Sequence, residues 1–427
     1  MNIERTPVKT IALSTTDMVG GAARAASRLH EGLIAQGVNT EMWVQRRTGT
    51  SPLVHSGPLI GQAYQYLDAL PKMFYRGRQR GPWSAGLLPN PFFPIRKLRT
   101  ADLVHCHWVS EGFLPLAALS RINRPIVWTL HDMAAFTGGC HYAGECQAFT
   151  NRCGRCPLLG SSREVDLSRL GIWMKERYWS KADITIVCPS RWLADQAGRS
   201  PLLKNRPITV IPNGLDLGIY KPLDKAGART ILGLPQDKIL LLMVAMNATN
   251  DRRKGFPHLE KALGLLGKRA PQNALEVLVL GDSDVSMKPI GNIQIRCLGQ
   301  FTDDARMALA YSSADIFVAP SEQDNLPNTV MESMACGTPS IAFDVGGMPD
   351  LIDNRVNGLL IRPFSAESLA TELLELCNDK ERRSLMGVAA RAKTEKMYTI
   401  ENISKRYLTL YGDALSNFQA KKYSEIR

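Results

Sequence analysis

The sequence predicts an α/β protein with two doubly wound, Rossmann-like domains that face each other across a cleft. Short apolar runs alternate with helical patterns, and the alternation starts again after a Pro-Asn-Gly break at residues 212–214. A chain of 427 residues is also long for one core. We therefore expect one domain over residues 1–213 and a second over residues 214–400. In residues 401–427 we expect a helix that crosses back to the first domain, then a loose tail from Lys421.

In the first domain, candidate polar residues lie at the ends of strands. Gly20 and Gly21 follow the first strand and let the backbone approach a ligand, although they lack the three-glycine spacing of a dinucleotide site. His131 and Asp132 end a later strand, where parallel sheets carry their chemistry; a lone histidine is more often structural. The predicted elements are the strands Thr10–Ser14, Asn39–Gln45, Asp102–His105, Pro125–Leu130, Asp183–Cys188 and Ile208–Ile211, and the helix Ala22–Gln36.

The second domain contains a βαβ unit with two candidate ligand-binding acids. Its helix begins near Pro327 and ends before Gly337; Asp324 precedes the helix and Glu332 lies inside it. The helix start favours an anion such as a diphosphate, whereas the carboxylates suit sugar or ribose hydroxyls. The alternative is a surface loop in which the aspartate caps the helix and the glutamate is solvated. The predicted elements are the strands Ile239–Ala245, Leu275–Leu280, Ile293–Leu298, Ile316–Val318 and Ser340–Phe343, and the later helices Leu369–Cys377 and Ile403–Ala414.

The excess positive charge lies entirely in the first half of the chain. The net charge is +12, and residues 1–213 contain 26 Lys and Arg against 14 Asp and Glu, whereas residues 214–427 contain 26 of each. The excess peaks between Pro71 and Thr100, where basic residues are interleaved with aromatic ones. The segment either rests on an anionic membrane or is a solvated basic loop whose aromatic residues pack on the core. We expect no nucleic-acid partner.

The composition is that of an ordinary globular protein, with 44% hydrophobic and 22% charged residues. No apolar run approaches the roughly eighteen residues that a membrane span needs. The N-terminal apolar run is short and is surrounded by Glu4, Arg5 and Lys9, which is not a secretory signal. We therefore expect a cytoplasmic protein, at most in peripheral contact with the inner face of the cell membrane.

Four of the nine cysteines form a candidate structural metal site. Cys140, Cys146, Cys153 and Cys156 have the spacing C-x5-C-x6-C-x2-C. Four thiols can bind Zn²⁺ tetrahedrally and leave no position open for catalysis. Two disulfides or four unbound thiols are the alternatives. The other five cysteines lie in apolar surroundings, as expected for reduced core thiols.

Several separated motifs resemble glycosyltransferase family 4, whose members have the GT-B fold of two Rossmann-like domains. Asp324 and Glu332 fall on the family's motif of two acids separated by seven residues, and the continuation M-A-C-G-T-P-S-I-A-F-D-V-G-G matches closely. V-I-P-N-G-L-D from Val210, A-D-I-F-V-A-P-S from Ala314 and R-K-G from Arg253 agree as well. The segments W-T-L-H-D-M, F-T-G-G-C-H-Y and V-H-C-H-W resemble a bacterial subgroup that builds exopolysaccharides such as colanic acid.

The resemblance implies a retaining hexosyltransferase with a UDP- or GDP-linked sugar donor and a saccharide or lipid-linked acceptor. It implies that Glu332 holds the ribose, that Asp324 and the following backbone hold the sugar hydroxyls, and that Lys254 holds the diphosphate. His131 would lie beside the donor sugar, and the glycine pair would leave room for phosphate or acceptor. The implied catalytic residues are His131, Asp324, Lys254 and Arg253, and the implied donor-binding residues are Gly20, Gly21, Asn213, Lys254, Asp324, Asn325, Leu326, Thr329 and Glu332.

Two departures from the family pattern affect this assignment. The first motif acid is commonly Glu, and Asp324 is shorter, although Glu322 nearby could compensate. The arginine that usually precedes the lysine has no counterpart at that spacing, so Arg252 or Arg253 would have to supply its charge.

The expected chemistry needs no catalytic metal. Fixed cations and a helix N-terminus stabilise the charge that develops on the leaving diphosphate, and that phosphate accepts the proton of an acceptor attacking from the same face. Asp324 is then an orienting group and not a covalent nucleophile. A sugar-nucleotide 2-epimerase of the same architecture and a non-catalytic nucleotide-sugar-binding protein are the alternative functions.

Overall fold

The computed structural model describes residues 8–79, 81–246, 251–269, 274–281 and 288–426. The chain divides into two compact units, unit 1 (Met1–Pro212 with Glu401–Arg427) and unit 2 (Asn213–Ile400). Each unit has one parallel sheet with helices packed on it. The predicted fold class of two Rossmann-like domains is confirmed.

The sheet of unit 1 has seven parallel strands in the order β3-β2-β1-β4-β5-β6-β7. The strand order reverses between β1 and β4, which pair from Thr10 opposite Leu103 to Leu13 opposite Cys106. Ligands bind at such a reversal, beyond the carboxyl ends of the strands. The strands are β1 (Lys9–Thr16), β2 (Asn39–Arg46), β3 (Val54–Ser56), β4 (Leu103–Cys106), β5 (Ile126–Thr129), β6 (Ile184–Cys188) and β7 (Ile208–Val210). The helices are α1 (Gly21–Ala35), α2 (Tyr64–Met73), α3 (Ile95–Leu98), α4 (Leu119–Ile122), α5 (Leu167–Trp179), α6 (Arg191–Arg199) and the C-terminal helix (Ile400–Ile426).

The sheet of unit 2 has six parallel strands in the order β10-β9-β8-β11-β12-β13, so its order reverses between β8 and β11. The strands are β8 (Ile239–Val244), β9 (Leu275–Leu280), β10 (Gln294–Cys297), β11 (Ile316–Ala319), β12 (Ser340–Phe343) and β13 (Gly358–Ile361). The helices are α7 (Lys225–Leu232), α8 (Phe256–Leu266), α9 (Asp304–Ser313), α10 (Asn328–Ala335), α11 (Met348–Leu351), α12 (Ala366–Asn378) and α13 (Lys380–Met397).

Three features differ from the sequence prediction. The edge strands β3 and β13 are not predicted, because three or four residues without clear alternation carry little signal. The predicted loose tail from Lys421 is wrong, because the C-terminal helix continues to Ile426. The helix is anchored to unit 1 by the buried side chains of Tyr407, Tyr411 and Ala414. It also carries an ion pair between Lys421 and Asp183.

A close backbone approach fixes the start of α8. Gly255 has φ 75°, and a Cβ added there would lie 1.7 Å from the carbonyl oxygen of Pro320, the residue that follows β11. This position therefore requires glycine for two reasons, the left-handed backbone and the lack of space.

We predict that Gly255→Ala lowers the free energy of unfolding far more than Gly233→Ala. Gly233 has φ 64° and no atom within 4 Å of an added Cβ, so its substitution isolates the conformational strain of about 1 kcal/mol. Overpacking against Pro320 adds roughly 1–3 kcal/mol in Gly255→Ala. Urea denaturation of both variants measures the difference, and equal losses would refute the assigned clash.

Candidate functional site

In unit 2, a buried carboxylate is held between two cations. Lys254 Nζ donates to Asp324 Oδ2 at 2.7 Å, and Arg253 Nη1 lies 3.4 Å from the same oxygen. The Asn325 N–H donates to Asp324 Oδ1 at 3.0 Å. A backbone hydrogen bond joins the segment that carries Arg253 and Lys254 to the segment that carries Asp324: the Glu322 N–H donates to the Arg253 carbonyl at 2.7 Å. The structure thus brings three predicted catalytic residues into contact.

The electrostatics of this cluster keep Asp324 ionised. Burial would raise the pKa of its carboxyl group, but Lys254 and Arg253 act against burial and lower the pKa below its usual value. Arg253 is also 3.1 Å from the carboxylate of Asp251, so its guanidinium group contacts two carboxylates. Of the two arginines considered for the missing charge, Arg253 contacts Asp324, whereas the side chain of Arg252 is 88% exposed; the substitution itself stays a prediction.

Glu322, considered as a substitute for the shorter motif acid, has a different partner. Its Oε1 lies 2.9 Å from Nε2 of His258, which is on α8. Arg252 is 3.8 Å from the same carboxylate oxygen. The carboxylate that contacts Lys254 is therefore that of Asp324. The carboxylate of Glu322 contacts His258 instead.

Helix α10 presents the second motif acid in a buried position. Glu332 is 3% exposed and accepts a hydrogen bond of 2.8 Å from the hydroxyl group of Tyr311. Burial, and then the neighbouring carboxylate of Glu332, raises the pKa of Tyr311 well above its usual value, so the phenol stays a donor. Pro327 occupies the N-cap position and offers no side-chain acceptor, so the surface-loop alternative with Asp324 as helix cap is wrong.

The remaining candidate residues of unit 2 surround the start of α10. Asn213 Nδ2 donates to Oδ1 of Asn328 at 2.8 Å, which ties the beginning of the unit to the first residue of the helix. Asn325 and Leu326 are buried immediately before the helix, and Thr329 is half-buried in its first turn. Their roles in donor binding stay predictions.

In unit 1, a column of histidines lies at the carboxyl ends of β4 and β5. His107 Nδ1 is 3.2 Å from His131 Nε2, and the rings of His105 and His107 are 4.0 Å apart. His105 is fixed at both ring nitrogens, by the hydroxyl groups of Tyr411 at 2.6 Å and Thr129 at 2.8 Å. The C-terminal helix, which carries Tyr411, therefore takes part in positioning the histidines.

The histidine column is uncharged at neutral pH. Burial lowers the pKa of His105 to about 3. The side chain of His131 is half-buried, and desolvation by the surrounding protein lowers its pKa to about 4. The carboxylate of Asp132 acts in the opposite direction. His131 can therefore accept or donate a hydrogen bond but does not supply a positive charge.

A second polar network, which the sequence analysis does not predict, begins at Asp132. Trp108 Nε1 donates to Asp132 Oδ2 at 2.7 Å, and His141 Nδ1 lies 2.6 Å from the same oxygen. His141 Nε2 is 2.9 Å from the hydroxyl group of Ser84. Asp132 is a predicted candidate, but its contacts with Trp108 and His141 and the contact of His141 with Ser84 are not predicted, because the four residues come from three separate loops. The network surrounds a cavity whose lining includes His107, Trp108, Glu111, His131, Asp132 and Lys175.

The Gly20-Gly21 pair lies at the start of α1. Gly20 has φ 90°, which favours glycine, and an added Cβ would find no atom within 4 Å. The conformation, and not crowding by protein, therefore explains the glycine. Its predicted contact with a phosphate or acceptor stays a prediction.

The four clustered cysteines are close in space but do not form a metal site in the structure. Cys146, Cys153 and Cys156 all act electrostatically on Cys140, whose pKa is raised by burial to about 12. All four are unpaired thiols. Within the described ranges, no three His, Cys, Asp or Glu side chains are arranged to hold a metal ion. The zinc site stays a prediction.

Comparison with known proteins assigns the family. Residues 19–218 match the family model described as Glycosyltransferase Family 4, and residues 238–379 match the model described as Glycosyl transferases group 1. The D-inositol 3-phosphate glycosyltransferase of Arthrobacter sp. (strain FB24) is 32% identical over 388 residues, which cover 87% of this chain and 85% of that relative. The chain belongs to glycosyltransferase family 4. This relative is not named for the exopolysaccharide subgroup, so the assignment of this glycosyltransferase to that subgroup stays a prediction.

Solved structures show that this glycosyltransferase has the GT-B fold. A sucrose-phosphate synthase from Thermosynechococcus elongatus superimposes with a TM-score of 0.69 at 20% identity and covers 96% of this chain and 100% of its own. Anabaena HepE, solved in complex with UDP and glucose, gives a TM-score of 0.65 at 15% identity over 95% of this chain and 100% of its own.

We predict that the glycosyltransferase loses stability as the pH falls from about 6.5 to about 4. Burial lowers the pKa values of His30 and His131 to about 4 in the folded state, so the unfolded chain binds protons that the folded chain does not. The contribution of each such histidine to the free energy of unfolding is therefore fully present above its unfolded pKa. As the pH falls below that value, this contribution decreases by up to about 1.4 kcal/mol per pH unit. Urea denaturation at pH 7 and pH 5 measures the slope. His30→Gln should reduce the slope relative to the wild type, and an unchanged slope would contradict the assignment.

Proposed function

We propose that this glycosyltransferase is a retaining enzyme that transfers a hexose from a nucleoside diphosphate sugar to a saccharide or lipid-linked saccharide in bacterial polysaccharide biosynthesis. The observation that carries the proposal is the buried contact of Asp324 with Lys254 and Arg253 next to the N-terminus of α10. Two cations and a helix start suit a diphosphate, and the carboxylates of Asp324 and Glu332 suit hydroxyl groups.

The proposed reaction uses these groups for orientation and charge stabilisation. Lys254 and Arg253 stabilise the negative charge that grows on the diphosphate as the bond between the sugar and its phosphate breaks. The leaving phosphate oxygen takes the proton of the acceptor hydroxyl, which bonds to the sugar from the same face. Asp324 holds the two cations in place before the donor binds and accepts hydrogen bonds from the sugar. Glu332 binds the ribose, with its second oxygen fixed by Tyr311.

The donor nucleotide is proposed to be UDP in the first instance. Support comes from Anabaena HepE, which has the same fold and was solved with UDP and glucose. A GDP-linked sugar is the alternative.

We predict that Lys254→Ala lowers kcat/KM for transfer by about 100-fold or more, as loss of one preorganised charge at a developing anion does. Glu332→Gln should weaken UDP binding by about tenfold, because a charged hydrogen-bond acceptor is lost. Thermal stabilisation by a panel of UDP and GDP sugars selects the donor, and product release is then measured. The matched control is Lys261→Ala, an exposed lysine on α8, which should leave both quantities unchanged.

The same assay separates the alternative functions. An epimerase converts the donor when no acceptor is present, whereas a transferase requires an acceptor to form the new glycoside. Full transfer activity in both Lys254→Ala and Glu332→Gln would refute the proposed site. Donor binding without any turnover in the wild type would favour the non-catalytic binding protein.

We infer that unit 1 also contacts an anionic membrane surface through α2 and the turn before it. The exposed fractions are 81% for Leu59, 71% for Tyr66 and 87% for Phe74, which is unusual for large apolar side chains. Lys72, Arg76 and Arg78 line an open groove beside Met73. Such a mixture of exposed apolar and basic residues fits the interface of an anionic bilayer.

The proposed membrane contact involves only part of the predicted basic segment. Trp83 and Phe93 are 9% and 6% exposed, so these aromatic residues pack on the core as the loop alternative expects. Phe74 does not. Among the described residues, no helix combines the length and the apolar character that crossing a membrane requires.

We predict that Arg76→Glu with Arg78→Glu, or Leu59→Ser with Phe74→Ser, reduces co-sedimentation with vesicles that contain phosphatidylglycerol. The charge pair contributes about 1 kcal/mol per basic residue, so its reversal should weaken binding at least about tenfold. Ile231→Ser is the control, because Ile231 is 69% exposed in unit 2. Unchanged binding of both double variants would remove the membrane contact.

A further inference from the structure

We propose that Glu111 binds hydroxyl groups of the acceptor and that the cavity of unit 1 takes an uncharged, hydroxyl-rich ring in preference to a phosphorylated one. The proposal rests on the proposed function, because it names the acceptor class of that enzyme. It sets this chain apart from its relative, whose name specifies a phosphorylated inositol.

The first observation is the backbone at Glu111. Its φ is 56°, in the left-handed region, and it is followed by Gly112 with φ 70°. Glu111 lies in the loop after β4 and lines the cavity, so this backbone conformation is not part of a strand. A glutamate in this conformation is uncommon, and residues held in strained conformations cluster at functional sites.

Hydrogen bonds hold the loop in place from several sides. The Glu111 N–H donates to the hydroxyl oxygen of Ser84 at 3.3 Å, and its carbonyl accepts from Gln45 Nε2 at 3.3 Å. Thr15 donates to the carbonyl of Ser110 at 2.9 Å, and Asn90 donates to that of Gly112 at 2.9 Å. The N–H and carbonyl groups of Glu111 are thus both hydrogen-bonded, and its side chain is what the loop presents.

The second observation is that the carboxylate of Glu111 has no partner in the part of the chain that the structure describes. The two carboxylates nearby differ from it. Asp132 accepts hydrogen bonds from Trp108 and Ala134 and pairs with His141, and Asp68 accepts from the N–H groups of Ala85 and Gly86. Half-buried and facing a cavity, the carboxylate of Glu111 is available to a ligand.

The third observation is the chemistry of the lining. Trp108 offers an indole ring fixed by its hydrogen bond to Asp132, and aromatic faces with carboxylates are suited to sugar rings and their hydroxyls. The lysine of the lining, Lys175, directs its ammonium group to the carbonyl oxygens of Ala134 at 2.5 Å and Thr137 at 2.8 Å. A phosphate bound in the cavity would therefore lie beside the carboxylates of Glu111 and Asp132. The ammonium group of Lys175 is already hydrogen-bonded to two carbonyl oxygens.

The test compares myo-inositol, methyl α-D-glucoside and D-myo-inositol 3-phosphate as probes of the full-length protein saturated with UDP. Saturation-transfer NMR and tryptophan fluorescence give the affinities. We expect at least one neutral ring to bind about tenfold or more tightly than the phosphate, since the phosphate meets like charge. Glu111→Gln should weaken the neutral ring about tenfold and reduce the discrimination. Glu111→Asp keeps the charge and should keep the preference against phosphate.

The control is Glu145→Gln at an exposed position of the same unit, which should bind every probe as the wild type does. Tighter binding of the phosphate by the wild type, no binding of either neutral ring, or unchanged affinities in Glu111→Gln would each overturn the proposal. Failure of the wild type to bind UDP would instead contradict the proposed function, and the two results are measured separately.

Discussion

The buried contact between Asp324 and Lys254 is the interaction on which the organisation of unit 2 depends. It joins the turn before α8 to the loop after β11, and two glycines approach the backbone of that loop closely, Gly255 from the turn before α8 and Gly346 from the loop after β12. An added Cβ would lie 1.7 Å from Pro320 O at Gly255 and 2.0 Å from Asp324 O at Gly346. A buried carboxylate without its cations would be strongly unfavourable. The backbone geometry and the ion pairs therefore require each other.

Unit 1 places a column of neutral histidines at the carboxyl ends of its strands β4 and β5. His105, His107 and His131 are uncharged at neutral pH because burial lowers their pKa values. Hydroxyl groups of Thr129 and Tyr411 hold both ring nitrogens of His105, and Tyr407 bonds to Thr129, so hydrogen bonds fix the orientation of this ring without a net charge. The histidines of unit 1 thus offer directed hydrogen bonds, whereas Lys254 and Arg253 of unit 2 offer positive charge.

The sequence predicts the sheets well because parallel strands are buried and continuous in their apolar character. It also places Asp324 and Glu332 correctly, since both belong to one short motif next to a helix start. It does not predict Ser84, Glu111 and His141, which come together from separate loops and have no spacing of their own. The loose tail is predicted wrongly because the C-terminal helix continues beyond the apolar residues that pack on unit 1, and the partner of Lys421 in its last turns, Asp183, is distant in sequence. Periodicity thus identifies elements, whereas long-range side-chain contacts need the fold.

The excess positive charge of the first half of the chain acquires a more specific meaning from these contacts. Arg76 and Arg78 belong to an exposed surface beside Phe74, whereas the cavity of unit 1 is lined by Glu111 and Asp132. The basic residues therefore do not make the cavity a site for phosphate. A phosphate bound to the acceptor would be better accommodated outside the cavity, as in the headgroup of a lipid-linked saccharide whose sugar enters it. An acidic cavity and a basic, apolar surface on the same unit are together consistent with an acceptor that is neutral at its reacting end and anchored at the other.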